Sequence, residues 1–311
     1  MRVKILGSAA GGGFPQWNCA CTNCHRMRDG SLLGTSRTQT QVAWNAVPGH
    51  WSLLNASPDL RTQIESTSDL WPRDGGRDSP IRDVVLPSAE LDQVLGLLLL
   101  REFHSFRVYA TPSVRKILTE DNSLFGVLAR FTDQVCWQDI LLDRPFSVGG
   151  ARLEALTLPG SFPGFVSASR QAELNPKDAV IGLLISPDSR ANSGADSNQR
   201  MLAFLPGVAC VSDTLLGTLQ NCDILLFDGT FWSDDEPLRI PGITRTARQM
   251  GHLPLSGPGG SLERLVSLRR PRKIFIHINN TNPILDEESR EYRMVREAGW
   301  EVAHDGMELT L

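Results

Sequence analysis

Two periods of apolar and polar positions alternate along the chain. Short stretches at 3–6, 41–44, 51–54, 84–86, 108–110, 153–158, 180–185, 201–205, 224–227 and 274–278 are apolar with strand character. A spacing of about 3.6 residues predicts helices over 89–102, 112–120, 123–131, 213–219, 261–268 and 286–298. The early strands follow one another across short loops, which predicts an antiparallel or mixed sheet. Helices enter later in each half. The expected architecture is therefore α/β, with sheets packed between helices, and not a simple doubly wound fold. Residues 66–80 and 187–199 are polar and bear Gly and Ser, so they read as surface excursions, the second joining two hairpin strands. Strand patterns resume at once on both sides of each. One domain spanning 1–311 is expected, with no repeat at a solenoid period.

Composition narrows the class. Of 311 residues, 41% are hydrophobic and 21% charged, enough for a sizeable core, and the net charge of −4 offers no basic surface for nucleic acid. The first seven residues are too short in apolar character for a secretory signal, and the apolar run 94–100 is far too short to span a membrane. Six cysteines, three of them within six residues, do not resemble an extracellular disulfide framework. A cytoplasmic protein is expected, with no nucleic-acid partner and no membrane span; a homodimer stays open. Cys136, Cys210 and Cys222 are expected to be small buried hydrophobes.

The clearest chemistry is the run Cys19-Ala20-Cys21-Thr22-Asn23-Cys24, which follows a Gly-rich turn at 7–13. Three thiolates on a tight loop can converge on one ion, and sulfur favours zinc, here a structural one. The alternative, three reduced thiols packed on a loop, sits badly with polar Asn18, Thr22, Asn23 and His25 around them. A fourth ligand is required, and the local sequence does not supply it. His25, adjacent to Cys24, is awkward for simultaneous ligation. The glycines invite a phosphate-cradle reading, but no Gly-Lys-Ser/Thr follows, so they are expected to allow close backbone approach near a pocket rim.

Other landmarks carry a resemblance. Residues 86–96 form a strand-to-helix junction where metallo-β-lactamase-type proteins carry His-x-His-x-Asp-His-x-x-Gly. Ser88, Glu90 and Gln93 occupy the three histidine positions, while Asp92 and Gly96 fit. Residues 157–164 resemble that superfamily's T-x-G-H-T-P-G segment, with Ser161 at the histidine position. A buried strand ends in Asp228, as the bridging carboxylate does; His252 follows, and another strand ends in His277, the position of the last ligand.

A closer resemblance lies in Phe14-Pro15-Gln16-Trp17-Asn18-Cys19, Asn55-Ala56-Ser57-Pro58-Asp59, Asp228-Gly229-Thr230-Phe231-Trp232, Met250-Gly251-His252-Leu253 and the string 276–285. These are similar to the coenzyme PQQ biosynthesis protein B family across effectively the whole chain. The resemblance implies an αββα metallo-β-lactamase-like fold of four layers and a role in making pyrroloquinoline quinone (PQQ) from a peptide precursor. The family's usual Asp-His pair is Asp92-Gln93 here. Ser88, Gln93 and Ser161 are poor ligands, so a first zinc position of a dinuclear hydrolase is expected to be missing.

Asp92, Asp228 and His277 remain as candidate metal ligands, with Glu90 or His252 nearby, and Asp92, Asp228, His252 and His277 as candidate catalytic residues. Oxygen-rich ligands suit iron(II) or manganese better than a hydrolytic zinc. Structural roles are the alternative for each; Asp92 could cap the helix that follows it. Arg37 and Arg245 could meet substrate carboxylates or form surface ion pairs. Arg2 and Lys4 are expected to be solvated, and His50, His104 and His304 to be surface or packing residues.

Three functions follow. The resemblance implies a metal-dependent oxygenase, Fe(II) at its centre, that hydroxylates the tyrosine ring of a Glu-Tyr-derived PQQ precursor. The alternative is a carrier that binds PQQ or its precursor for transport or hand-over, which the missing histidine favours more than a typical member's sequence would. Other proteins of the pathway stay open as partners. A residual metallohydrolase ranks last.

Overall fold

The computed structural model describes residues 1–73, 75–102, 104–188 and 200–311. Its strands assemble into two seven-stranded mixed sheets, and the chain packs as two compact units.

The first unit comprises Met1–Leu6, Gln41–Arg200 and Gly306–Leu311. It opens with β1 (Arg2–Gly7), followed by the hairpin of β2 (Gln41–Val47) and β3 (His50–Leu54), in which Val42 faces Leu54. Gly49 closes the hairpin at φ 75°, a conformation that costs glycine little. Strands β4 (Ile81–Leu86), β5 (Phe106–Ala110) and β6 (Val135–Asp139) continue the sheet in parallel. The sheet is therefore mixed, as the loop lengths predict. Strands β7 (Phe146–Val148), β8 (Ala151–Thr157) and β9 (Ile181–Pro187) run antiparallel to their neighbours in that order. Trp51, Leu53, Val84, Leu86, Val108, Val94, Leu97 and Ile117 share one core with the helices laid on the sheet. Each such side chain contributes about 1.5–3 kcal/mol on burial. Arg2 and Lys4 are not merely solvated: both pair with Asp69 and Glu308.

The second unit comprises Gly7–Thr40 and Met201–Asp305. Its strands β10 (Leu202–Leu205), β11 (Ile224–Asp228), β12 (Arg272–Ile276) and β13 (Trp300–Val302) are all parallel. Strands covered on both faces read as unbroken apolar runs, which is why 224–227 and 274–276 show no alternation. The last strand, β14 (Glu308–Thr310), returns to the first unit and pairs with β1.

Helices depart more from the sequence reading. The first two, α1 (Thr22–Asp29) and α2 (Leu60–Glu65), are not expected; α1 starts inside the cysteine run. The pattern over 89–102 yields only one α-turn, α3 (Leu91–Val94), continued as a 3₁₀ helix over Leu95–Arg101. Gly96 lies in this segment because a Cβ there would lie 2.2 Å from the Ser57 carbonyl oxygen, and its amide bonds to Ala56 O. The expected helix α4 is Pro112–Thr119, capped by Thr111, whereas 123–129 is 3₁₀. Two helices, α5 (Ala168–Gln171) and α7 (Ser261–Arg264), have a single turn, while α6 (Asp213–Leu219) falls where expected and α8 (Arg290–Glu297) starts four residues late, at the Ser289 cap. Of the excursion expected over 187–199, residues 189–199 lie outside the described residues. Cys222 is buried, but Cys136 and Cys210 are exposed, contrary to expectation, because each sits on an edge or loop without an apolar cover.

Candidate metal centres

Two clusters in the second unit could each hold an ion: Cys19, Cys21 and Cys24, and Asp228, His252 and His277.

The cysteines gather because the chain turns sharply into α1, whose N-cap is Cys21 and whose buried third residue is Cys24. The Cys21 amide donates to Cys19 Sγ at 3.4 Å, and Gln16 N donates to Cys24 Sγ at 3.3 Å. The side-chain amide of Asn280 stands 3.2, 3.5 and 3.3 Å from the sulfurs of Cys19, Cys21 and Cys24. In a tetrahedral zinc site with bonds of about 2.0–2.3 Å, a fourth ligand atom lies roughly 3.5 Å from each sulfur. Asn280 is thus within reach of all three sulfurs, and exchanging its amide nitrogen and oxygen would turn Oδ1 toward them. Asn280 was not named as a ligand from the sequence; its place just past His277 was the available signal. His25 points to solvent and faces Asp29 at 3.5 Å. Burial pushes the Cys21 thiol up to about 11. Burial acts the same way on Cys19, but hydrogen bonds from Cys21 and Asn280 bring it below its ordinary value. A cation among the three sulfurs is what converts such thiols to thiolates.

The second cluster sits where parallel sheets place function, at the carboxyl ends of adjacent strands. Asp228 is the last residue of β11, and His277 follows β12 directly, at φ 60°. That left-handed backbone is uncommon outside glycine. His252 comes from the loop after Gly251, itself at φ 88°. The two imidazoles stack at 5.4 Å with a 19° tilt. Asp228 is fully buried and accepts from His252 Nδ1 at 2.8 Å and from Val208 N at 2.9 Å. Burial would raise its pKa; His252, His277 and the Thr230 hydrogen bond outweigh that and hold it below the ordinary carboxylate range. Imidazole nitrogens beside a buried anion fit a divalent ion.

Thr230 was missed, having neither charge nor ligand character, yet its hydroxyl touches all three members. Glu236 was missed too. It is buried, accepts from Thr281 Oγ1 and Trp232 N at 2.5 Å each, and burial raises its pKa to about 7.

The remaining candidates are not members of the two clusters. Asp92 belongs to the first unit, inside the first turn of α3; the cap position is Glu90. Ser88 and Gln93 are both buried, and Ser88 Oγ donates to Gln93 Oε1 at 3.0 Å, so two of the altered histidine positions satisfy each other. Ser161 is exposed. Arg37 is buried and bonds to the Ala303 and Thr35 carbonyls, a structural role, while Arg245 lies on the surface beside the Gln249 carbonyl.

Comparison with known proteins now joins this geometry. Residues 50–278 match the beta-lactamase superfamily domain. The chain is 42% identical over 314 residues to coenzyme PQQ synthesis protein B of Pseudomonas putida strain W619, and 39% identical over 315 residues to that of Xanthomonas euvesicatoria, each covering 100% of both chains. The chain belongs to the coenzyme PQQ synthesis protein B family. A solved structure of this family, zinc-bound PqqB from Methylobacterium extorquens, shares 39% identity and superposes with a TM-score of 0.88 over 100% of both chains. The fold is thus the metallo-β-lactamase fold, as the motifs imply. A diphosphatase of the PhnP family, 18% identical with a TM-score of 0.66 and covering 100% of this chain and 97% of its own, shares the fold alone.

Proposed function

We propose that this protein, 1–311 acting as one functional domain, is a metal-dependent oxygenase of PQQ biosynthesis. The family supplies the pathway. The observation that carries the chemistry is the stacked His252–His277 pair over buried Asp228. The Ser88–Gln93 hydrogen bond argues against a dinuclear hydrolase, since neither group offers a charged or imidazole ligand. Fe(II) held by His252 and His277 would supply oxygen activation. The tyrosine ring of a Glu-Tyr-derived precursor exchanges a C–H for a C–OH bond. One atom of O₂ enters the ring and the other leaves as water, with two electrons from a thiol or enediol reductant.

In the same reading, Cys19, Cys21, Cys24 and the Asn280 carbonyl hold a structural zinc, supported by the zinc-bound relative. The deciding experiment incubates the full chain with Fe(II), the dipeptide Glu-Tyr, ascorbate and O₂, and seeks a product heavier by one oxygen. Iron uptake with hydroxylated product is expected. No iron uptake and no product, with saturable PQQ binding, would replace this reading with the carrier.

A further inference from the structure

The parallel pairing of β11 with β12 runs as far as Asp228 and Ile276 and closes with the bond from Gly229 N to Ile276 O at 2.7 Å. Beyond that point each chain enters a loop, and the bonds between the loops fix His277 against Asp228. The turn 277–282 closes on itself, Asn282 N donating to Asn279 O at 3.0 Å. Ile278 is held on both sides, its amide by Ser8 O at 3.0 Å and its carbonyl by Ala10 N at 2.9 Å. Asn279 N donates to Thr230 O at 3.1 Å. Inside this frame His277 keeps its left-handed backbone at φ 60°, a conformation that persists only where the surroundings over-determine it.

One side chain spans the two loops. Asn282 is fully buried, and its Nδ2 donates to Gly229 O at 2.9 Å and to Thr230 O at 3.4 Å, while its Oδ1 accepts from Ile284 N at 3.1 Å. The partners settle which end of the amide is nitrogen, since the two carbonyls need a donor and the Ile284 amide an acceptor. A second asparagine ties the same turn to the cysteine knuckle. Asn23, next to Cys24 in α1, donates from Nδ2 to the carbonyls of Asn280 at 3.2 Å and Asn282 at 2.9 Å.

We infer that Asn282 is a positioning residue. It locks the loop that carries His277 onto the loop that follows Asp228, and Asn23 anchors the same turn to the knuckle helix. Ion affinity at the histidine cluster therefore depends on two side-chain amides that belong to neither cluster. Without the Asn282 amide the Gly229 carbonyl is left buried with no side-chain donor, and the loops must part for water to reach it. Ligands carried on separate loops feel such a shift, and supports behind metal ligands typically change affinity 10- to 100-fold.

The positioning role rests on His252 and His277 forming an iron site, and the experiment separates the two. Fe(II) is titrated anaerobically into the full chain. Without iron, amide hydrogen exchange at Ile278 and Asn279 is measured relative to the core amides of β12. Asn282→Ala and Asn282→Asp, the second of similar shape and still able to accept from Ile284 N, are expected to weaken Fe(II) binding about 10- to 100-fold. Both should also raise the relative exchange rate at Ile278 and Asn279 at least about tenfold, through local opening. Val295→Ala empties a buried position in α8 of the same unit; it should lower Tm and leave iron affinity and relative exchange unchanged. Asn23→Ala should weaken Fe(II) binding about threefold or more. Unchanged affinity or unchanged relative exchange in a folded Asn282 variant overturns the inference, as does an equal loss of affinity in Val295→Ala. If neither Asn282 variant folds, Asn23→Ala decides, and unchanged affinity there overturns it. If the unmutated protein takes up no iron, faster relative exchange in Asn282→Ala sustains the positioning role and the metal reading alone fails.

Discussion

The cysteine knuckle and the histidine cluster belong to the same compact unit, yet they are built in opposite ways. Three of the knuckle's four groups come from six consecutive residues, and one turn into a helix brings the sulfurs together. The histidine cluster takes one residue from the end of β11, one from a loop and one from the end of β12, and no two are closer than 24 positions. The knuckle is a soft, neutral-to-anionic sulfur cage whose geometry is local. The cluster is a buried anion with imidazoles turned by hydrogen bonds, and its geometry belongs to the sheet. A local site can be broken by one thiol; a sheet-borne site depends on hydrogen bonds as well as on ligands.

The largest expected effect separates the two by stability. In the proposed zinc site Cys24 is a buried sulfur ligand, so Cys24→Ser should abolish zinc binding, with a drop of several kcal/mol in folding free energy, because metal binding at a structural site is folding free energy. His277→Ala should lose Fe(II) with a much smaller shift in Tm. Metal analysis beside thermal melts checks both, and equal destabilisation by the two would erase the distinction.

Next in size is Asp228→Ala. It strands the Val208 and Thr230 amides and His252 Nδ1 in a buried site and should cost about 3–5 kcal/mol in urea unfolding. A cost below 1 kcal/mol (about the net worth of one hydrogen bond) would show the cluster is not carried by that anion.

Glu236 belongs to neither cluster and gives a pH test. Its folded pKa is raised to about 7 against an ordinary value of 4.5, so the folded state keeps a proton that the unfolded chain has lost. That contribution is fully present below pH 4.5 and is lost as pH rises through 7. Stability should therefore fall by up to about 3 kcal/mol between pH 5 and 8, a slope that Glu236→Gln removes. Parallel curves for the two proteins would refute it.

The smallest effect concerns the altered histidine motif. Gln93→Ala breaks the bond with Ser88 and should cost about 1 kcal/mol while leaving zinc and iron content unchanged. Loss of either metal would return residues 88–93 to the metal chemistry.

Legibility followed the same divide. The central strands were readable because burial leaves them runs or alternations of apolar residues, as in β11 and β8. The short β6, β7, β13 and β14 were not, since three to five residues at sheet edges or ends carry too little pattern. Helix α1 was hidden because its residues average polar and its start lies inside the cysteine run. Asp228, His252 and His277 were readable as candidates through their motifs, but Thr230 was not, because a hydroxyl acquires its role only from what surrounds it.

The sequence by itself determined the candidate ligand types and the alternation of strands and helices, which are written in composition and spacing, and the family, through the resemblance of its motifs. Only the tertiary structure decided that Asn280 stands against the three sulfurs, that Ser88 and Gln93 bond to each other, and that Asp228 accepts from Thr230, Val208 and His252. The reason is physical. A hydrogen bond depends on which atom faces which at about 3 Å, and residues far apart in the chain reach that distance only when the sheet has formed.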